Sequence, residues 1–326
     1  EPDAGRRRAV IQRAVDAGIN WFDTATGYGN GLSERCLAEA LSQISWPHEL
    51  HVATKVRLQS DQLDNVAEAM EASVDASLKR LGVESVTLLQ LHNAITQQRG
   101  DEPFSLSAED VLKRGGVADA LAQIKRSEKA RLVGLTGLGH AKALVEVIRN
   151  FRDASGTSLD TVQTPYHMLN PTAAGNLVGF KSDVDYGGFT LECRFNGVGV
   201  FAIRVFAGGA LLGNPPSAHT HTTPFFPLTL YERDTQRALQ LRAYLAERGW
   251  KGDPLTTALR FVLPGAICDS AILGFASPEQ VDQAVRPECF EPLPEDVREA
   301  VFDFAELQYL EECRRRLGIN TNDHSN

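Results

Sequence analysis

Short apolar or β-branched segments alternate with helical segments along most of the chain, a pattern typical of repeated βα units around a parallel sheet. Between residues 65 and 81 the apolar positions recur every three or four residues, which predicts a helix that ends at Gly82. Seven segments bounded by Gly, Pro or polar residues are predicted to be strands: Ile19–Asp23, Leu50–Lys55, Val86–His92, Arg131–Thr136, Thr161–Gln163, Val198–Arg204 and Ser270–Leu273.

This alternation predicts an α/β fold, a (β/α)₈ TIM barrel in one domain over residues 1–326. A doubly wound open sheet is the alternative, but it would usually carry a GxGxxG turn after its first strand, and none follows there. Because the chain starts in an amphipathic helix, we expect the first barrel strand to precede residue 1. We also predict a long loop over Leu212–Tyr231 and a closing helix over about residues 294–318.

Composition narrows the function classes. The net charge of −9 without a long basic run argues against a nucleic-acid partner. No apolar stretch approaches the ~20 residues that cross a bilayer, so no membrane partner is expected. His219 and His221 have no third ligand nearby, and no metal is expected. A reducing, cytoplasmic location is expected because the five cysteines are scattered and form no CxxC pair: Cys36, Cys193, Cys268, Cys289 and Cys313.

Four polar side chains lie at or just after predicted strand ends, where barrel enzymes place their active sites. They are Asp23, Tyr28, Lys55 and His92. Strand alternation puts Lys55 on the interior side, where a buried ammonium requires a carboxylate such as Asp23. An ammonium held in this way can assist Tyr28 as a general acid or base, and His92 can hydrogen-bond a substrate oxygen.

The segments GINWFDTATGYGNGLSE, VATK and LLQLH resemble the aldo-keto reductase family in order, spacing and residue type. The resemblance covers nearly the whole chain and is closest to the branch of L-galactose, D-arabinose and L-fucose dehydrogenases. It implies an NAD(P)-dependent oxidoreductase in which Tyr28 is the proton donor, Lys55 and Asp23 tune it, and His92 orients the carbonyl. The implied partner is a small carbonyl or sugar substrate, to or from which the cofactor transfers hydride.

The resemblance extends to the cofactor site through VGLTGLG, VQTPYHMLN, AIRVFAGGALLG and ILGFASPEQVDQAV. It implies that Thr136 and Gln163 hold the nicotinamide amide. Gly274 and Gln280 stand where NADP-specific members have basic residues, so either NAD or NADP is possible and NAD is favoured. The remaining implied cofactor contacts are Arg204, Phe206, Gly208 and Leu211 along the pyrophosphate, and Ser277 and Gln283 beside the adenosine.

Two other functions stay open at this point. Lys55 at a strand end could form an iminium with a carbonyl substrate, as in a Schiff-base aldolase. Alternatively, the chain could bind the cofactor as a regulatory protein with little turnover. Borohydride trapping on Lys55 would favour the first, and cofactor binding without turnover the second.

Overall fold

The computed structural model describes residues 4–45, 49–153, 156–175, 185–216, 228–265 and 267–316. This part of the chain divides into two compact units, which are described separately. The first comprises Glu1–Thr164, Glu192–Phe201 and Gly274–Arg286. The second comprises Pro165–Leu191, Ala202–Leu273 and Pro287–Asn326. That the whole chain forms one barrel domain stays a prediction.

The strands follow the predicted segments closely. They are β1 (Trp21–Asp23), β2 (His51–Val56), β3 (Val86–Leu91), β4 (Ile95–Thr96), β5 (Leu106–Ser107), β6 (Ala130–Thr136), β7 (Thr161–Pro165), β8 (Gly199–Ile203) and β9 (Ser270–Ala271). All seven predicted strands are confirmed with bounds shifted by one or two residues at most ends. The short parallel pair β4 and β5 was not predicted, because two-residue strands leave too little alternation to detect.

The helices lie between the strands. They are α1 (Ala4–Asp16), α2 (Leu32–Ser42), α3 (Val66–Leu81), α4 (Ala108–Leu112), α5 (Val117–Arg126), α6 (Ala141–Asn150), α7 (Phe189–Phe195), α8 (Leu228–Glu247), α9 (Pro254–Val262), α10 (Pro278–Ala284) and α11 (Glu295–Arg316). Short 3₁₀ helices occupy Ser60–Gln62, Ala207–Leu212 and Pro287–Phe290. No helix in the described ranges is long and apolar enough to cross a membrane.

Parallel strands form the centre of the first unit, in the order β1, β2, β3, β6 and β7. Trp21 pairs with His51, and Ala53 pairs with Leu88. β8 starts in this unit, where the Gly199 amide donates to the Asp160 carbonyl at 2.9 Å. Parallel pairing brings the carboxyl ends of these strands to one edge, the edge that carries Asp23, Lys55 and His92.

α3 shows how the sequence pattern leads to packing. Its apolar stripe is buried, and the helix ends at Gly82, whose φ of 69° is a left-handed conformation that glycine adopts without a steric penalty. The buried residues of the stripe are Val66, Met70, Val74, Leu78 and Leu81. The predicted helix over residues 65–81 is therefore confirmed.

In the second unit, the Ile272 amide donates to the Ala202 carbonyl at 2.8 Å, which joins β9 to the end of β8. The predicted closing helix is confirmed as α11. The loop predicted over Leu212–Tyr231 is wrong at its end, because α8 begins at Leu228. Tyr231 is buried there and its hydroxyl donates to the Asn214 carbonyl at 2.5 Å, so tertiary packing starts the helix early. Residues 217–227, with His219 and His221, lie outside the described part.

Candidate active site

Lys55 is the centre of the candidate site. Strand alternation sends its neighbour Thr54 to the other face of β2, where the hydroxyl donates to Glu34 at 2.6 Å. The Lys55 side chain is only 1% exposed. Its ammonium has three donors, which reach Oδ1 of Asp23, the carbonyl of Thr24 at 2.9 Å and the hydroxyl of Tyr28 at 3.2 Å. A buried ammonium is thus fully partnered, as its burial requires.

Tyr28 lies on the loop between β1 and α2. Gly29 and Gly31 take left-handed φ angles of 62° and 78°, and the Gly31 amide closes a turn on the Thr26 carbonyl at 2.8 Å. The Tyr28 ring meets the His92 ring edge to face, with centroids 5.6 Å apart. Tyr28 is 40% exposed, and its hydroxyl contacts the buried ammonium of Lys55.

Asp23 connects several donors at the end of β1. Besides the ammonium at Oδ1, its Oδ2 accepts from Nε2 of Gln163 at 2.6 Å and more weakly from Nε2 of Gln90 at 3.5 Å. The carboxylate therefore balances the charge of Lys55 and fixes the side chains on β3 and β7 around it.

His92 follows β3, and its amide donates to the Val56 carbonyl at 2.7 Å. Burial, followed by the positive charges of Lys55 and Arg57, lowers the pKa of His92 to about 3. The imidazole is therefore neutral near pH 7, with one N–H donor and one acceptor nitrogen. Its Nδ1 is buried and has no hydrogen-bond partner in the described part of the chain.

Residues of the first unit that the resemblance assigned to the cofactor lie at strand ends and on α10. Thr136 is buried at the end of β6 and donates to the Leu91 carbonyl at 3.2 Å. Ser277 precedes α10, and the Gln280 side chain accepts from the Ala276 amide at 2.6 Å. Gln283 lies on α10 and its carbonyl accepts from Arg286 at 3.1 Å. Open space surrounds the α-carbon of Gly274.

The cofactor residues of the second unit lie where β8 ends. Arg204 takes a left-handed φ of 57°, which terminates the strand. Phe206 caps the 3₁₀ helix over Ala207–Leu212, in which Gly208 has a φ of 69° and Leu211 is buried. The left-handed conformations of Arg204 and Gly208 turn the chain sharply, as in a loop that presents backbone amides.

Three features of the site were missed from the sequence. Gln90 is fully buried beside Asp23, and the signal was an amide within the apolar run VTLLQLH. The carboxylate of Glu34 is paired with Arg80 at 2.6 Å beneath the Tyr28 loop. The third is Asn93, whose amide is buried and bonded to both backbone groups of Leu58 and to the Phe104 carbonyl.

Comparison with known proteins agrees with the geometry. The model of the Aldo/keto reductase family matches residues 2–304. L-galactose dehydrogenase of Arabidopsis thaliana is 34% identical over 131 residues, which cover 40% of this chain and 38% of that enzyme. D-threo-aldose 1-dehydrogenase of a Pseudomonas species is 24% identical over 303 residues, which cover 84% of this chain and 80% of the relative.

A solved structure shares the fold. The holo form of aldo-keto reductase AKR11C1 from Bacillus halodurans matches with a TM-score of 0.67 and 19% identity, over 94% of this chain and 89% of that chain. The (β/α)₈ barrel class predicted from the sequence is thereby confirmed. With a family match over most of its length, this chain belongs to the aldo/keto reductase family.

Proposed function

We propose that this protein transfers hydride between a nicotinamide cofactor and the carbonyl carbon of a small aldehyde or aldose, with Tyr28 as the proton donor and acceptor. Membership of the family supports an oxidoreductase that uses NAD(P)H. The observation that carries the proposal is the contact of the Lys55 ammonium with both Asp23 and the Tyr28 hydroxyl at 3.2 Å. The two dehydrogenase relatives support an aldose as substrate, and the neutral Gly274 and Gln280 support NAD.

The proton chemistry follows from charge. The Lys55 ammonium is paired with Asp23, and it stabilises the phenolate that Tyr28 becomes after it gives a proton to the carbonyl oxygen. Neutral His92 can donate its one N–H to the same oxygen and so fix the carbonyl beside the Tyr28 ring. In the oxidative direction the phenolate of Tyr28 accepts the proton of the alcohol. The same ammonium stabilises this phenolate before the proton is transferred.

The residues present fit a nicotinamide amide. The Oε1 atom of Gln90 is buried and has no hydrogen-bond partner in the described residues. Gln163 uses Nε2 to hold Asp23, so its Oε1 is the atom that can accept from a carboxamide. Bound there, the cofactor supplies the hydride. Gln163, Thr136 and Gln90 would hold its amide end beside the carbonyl that Tyr28 and His92 orient.

The first experiment compares Tyr28→Phe with the unchanged protein, using fluorescence titrations with NADH and NADPH and steady-state kinetics on a panel of aldoses and aldehydes. We expect kcat to fall by about a hundredfold or more while cofactor affinity changes less than threefold, because only the proton is lost. An equal loss of affinity and kcat would contradict the proton-donor role. NADH binding that is comparable to or tighter than NADPH binding would support NAD as the cofactor. Much tighter NADPH binding would overturn the proposed preference for NAD.

Borohydride trapping tests the alternative that Lys55 forms a Schiff base with the substrate. Borohydride added with a carbonyl substrate traps a covalent adduct only if Lys55 forms an iminium. We expect no change in protein mass, because all three donors of the ammonium are hydrogen-bonded and an ammonium is not a nucleophile. An adduct mapped to Lys55 would replace the reductase mechanism with the aldolase one.

A further inference from the structure

The chain beyond β2 stays beside the chain beyond β3. The His92 amide bonds to Val56, and the next pair is joined by the side chain of Asn93, which accepts from the Leu58 amide and donates to the Leu58 carbonyl, both at 2.9 Å. Arg57 lies between these two connections. Its backbone is therefore fixed next to the catalytic histidine, although it lies outside the strand itself.

The side chain of Arg57 belongs to the catalytic face. Arg57 directly follows the last residue of β2, two positions beyond Lys55. The guanidinium interacts electrostatically with Tyr28 and His92, and its pKa is lowered by burial, so this cation is partly removed from water. A second positive charge therefore lies beside the two groups that hold the carbonyl.

Phe104 forms a wall for this cation. The Arg57 guanidinium lies 5.6 Å from the centre of the Phe104 ring, within the range of a cation–π contact. Phe104 adopts a left-handed φ of 61°, an uncommon conformation for a residue with a side chain, and Asn93 holds its carbonyl at 2.7 Å. Phe104 is 47% exposed, so it is accessible from solvent.

We infer that Arg57 is a specificity-determining residue that binds an anionic group, a carboxylate or a phosphate, on the aldehyde substrate. This inference rests on the proposed function, and it goes further by naming the substrate class. A guanidinium binds either anion through two parallel hydrogen bonds, which are strongest where water is partly excluded. Phe104 and Asn93 are positioning residues, since one stacks on the guanidinium and the other holds both segments.

The test uses two pairs of substrates that differ in one anionic group: glyceraldehyde against glyceraldehyde 3-phosphate, and butanal against 4-oxobutanoate. The protein is assayed unchanged, as Arg57→Gln, as Arg57→Lys, and as Arg35→Gln, a matched loss of one exposed charge on α2. We expect Arg57→Gln to reduce kcat/KM for the preferred anionic substrate by about 10- to 100-fold, mainly through KM, and for its neutral partner by less than threefold.

Arg57→Lys keeps the charge without the paired hydrogen bonds of a guanidinium. Its kcat/KM for the anionic substrate is expected to lie between those of the unchanged protein and Arg57→Gln. Arg35→Gln is expected to stay within threefold for every substrate. The phosphate and carboxylate pairs show which anion is preferred. An unchanged protein that favours neither anionic substrate, or an Arg57→Gln loss that is equal for charged and neutral partners, would overturn the inference while the hydride-transfer function stands.

A binding measurement keeps the inference separate from turnover. Calorimetry of the NADH-loaded protein with glycerol 3-phosphate and with glycerol needs no reaction. We expect binding of the phosphate to exceed that of glycerol and to be lost in Arg57→Gln but kept in Arg35→Gln. Equal phosphate binding by both variants would reject the role of Arg57, even for a protein that turns over none of the four aldehydes.

Discussion

Gln163 donates a hydrogen bond of 2.6 Å from Nε2 to Oδ2 of Asp23. The other oxygen of that carboxylate contacts the ammonium of Lys55. One carboxylate thus links the amide expected to hold the nicotinamide with the cation expected to assist Tyr28. Because each carboxylate oxygen is used by a different partner, a change at Asp23 should disturb charge balance and geometry together.

Asp23→Asn tests the charge balance. The substitution leaves an ammonium that is 1% exposed without its carboxylate, and breaking a buried pair costs about 3–5 kcal/mol. We expect the free energy of unfolding in urea to fall by about that amount and kcat to fall as well.

The control for this prediction removes both charges. Asp23→Asn combined with Lys55→Met leaves no unpaired charge in the interior, so it should recover part of the lost stability without recovering activity. A double variant as unstable as the sum of both single variants would show that the two charges are not coupled in stability.

The pH dependence of stability depends on two buried histidines. Burial is the main cause that lowers the pKa of both His92 and His167 to about 3. In the unfolded chain a histidine titrates near 6.5, so between about pH 6.5 and 3 only the unfolded state binds the proton. The free energy of unfolding is therefore unaffected by these histidines above about pH 6.5. It declines as the pH falls, by up to about 1.4 kcal/mol per pH unit for each histidine.

Urea unfolding at pH 7, 6 and 5 measures this slope. We expect His92→Gln and His167→Gln each to make stability fall less steeply with decreasing pH, and the double variant to flatten it further. The two sites lie in different units and provide independent comparisons. A slope that neither substitution changes would mean that other groups set the acid sensitivity.

Much of the fold could be predicted because each strand is a short apolar segment bounded by Gly, Pro or polar residues. The four candidate catalytic residues were also accessible to sequence reasoning, since strand ends of a parallel sheet share one edge. Asp23, Lys55 and His92 end or follow successive strands, so the topology alone predicts that they lie together.

The supporting residues were not accessible, because their roles depend on side-chain direction and on partners far away in sequence. Arg80 lies 46 residues from Glu34, and both look like ordinary helix-surface charges in the pattern. Asn93 directly follows His92, and only the structure shows its amide bonded to Leu58 and Phe104. Strand periodicity reports which face is buried, not which atoms pair.

The pair of Arg80 and Glu34 should stabilise the Tyr28 loop. Glu34 is fully buried and accepts from Thr54 at 2.6 Å, while Arg80 also reaches the Thr26 and Ser77 hydroxyls at about 3 Å. Arg80→Met leaves a buried carboxylate without its cation, which costs about 3 kcal/mol or more. We expect lower stability and lower kcat, measured by urea unfolding and steady-state kinetics.

A variant with both charges removed, Glu34→Gln with Arg80→Met, distinguishes charge from packing. It should be more stable than Arg80→Met alone because no buried charge stays unpaired. Cofactor affinity, measured by fluorescence titration, should change little in either variant. A loss of cofactor binding that equals the loss of kcat would show that the pair supports the whole site and not the Tyr28 loop in particular.

Gly31 shows how closely this loop packs on Arg80. A β-carbon at Gly31 would lie 2.6 Å from the Cδ and Nε atoms of Arg80, and its φ of 78° disfavours any side chain. Gly82 has a similar φ of 69° with open space around it, so Gly82→Ala carries only the backbone penalty of about 1–2 kcal/mol.

Gly31→Ala should lower the free energy of unfolding in urea by more than Gly82→Ala does, because Arg80 must leave Glu34 to make room. It should also lower kcat, which Gly82→Ala should leave within threefold. Equal effects of the two substitutions would mean that Arg80 moves aside freely and that its contacts do not hold Tyr28 in place.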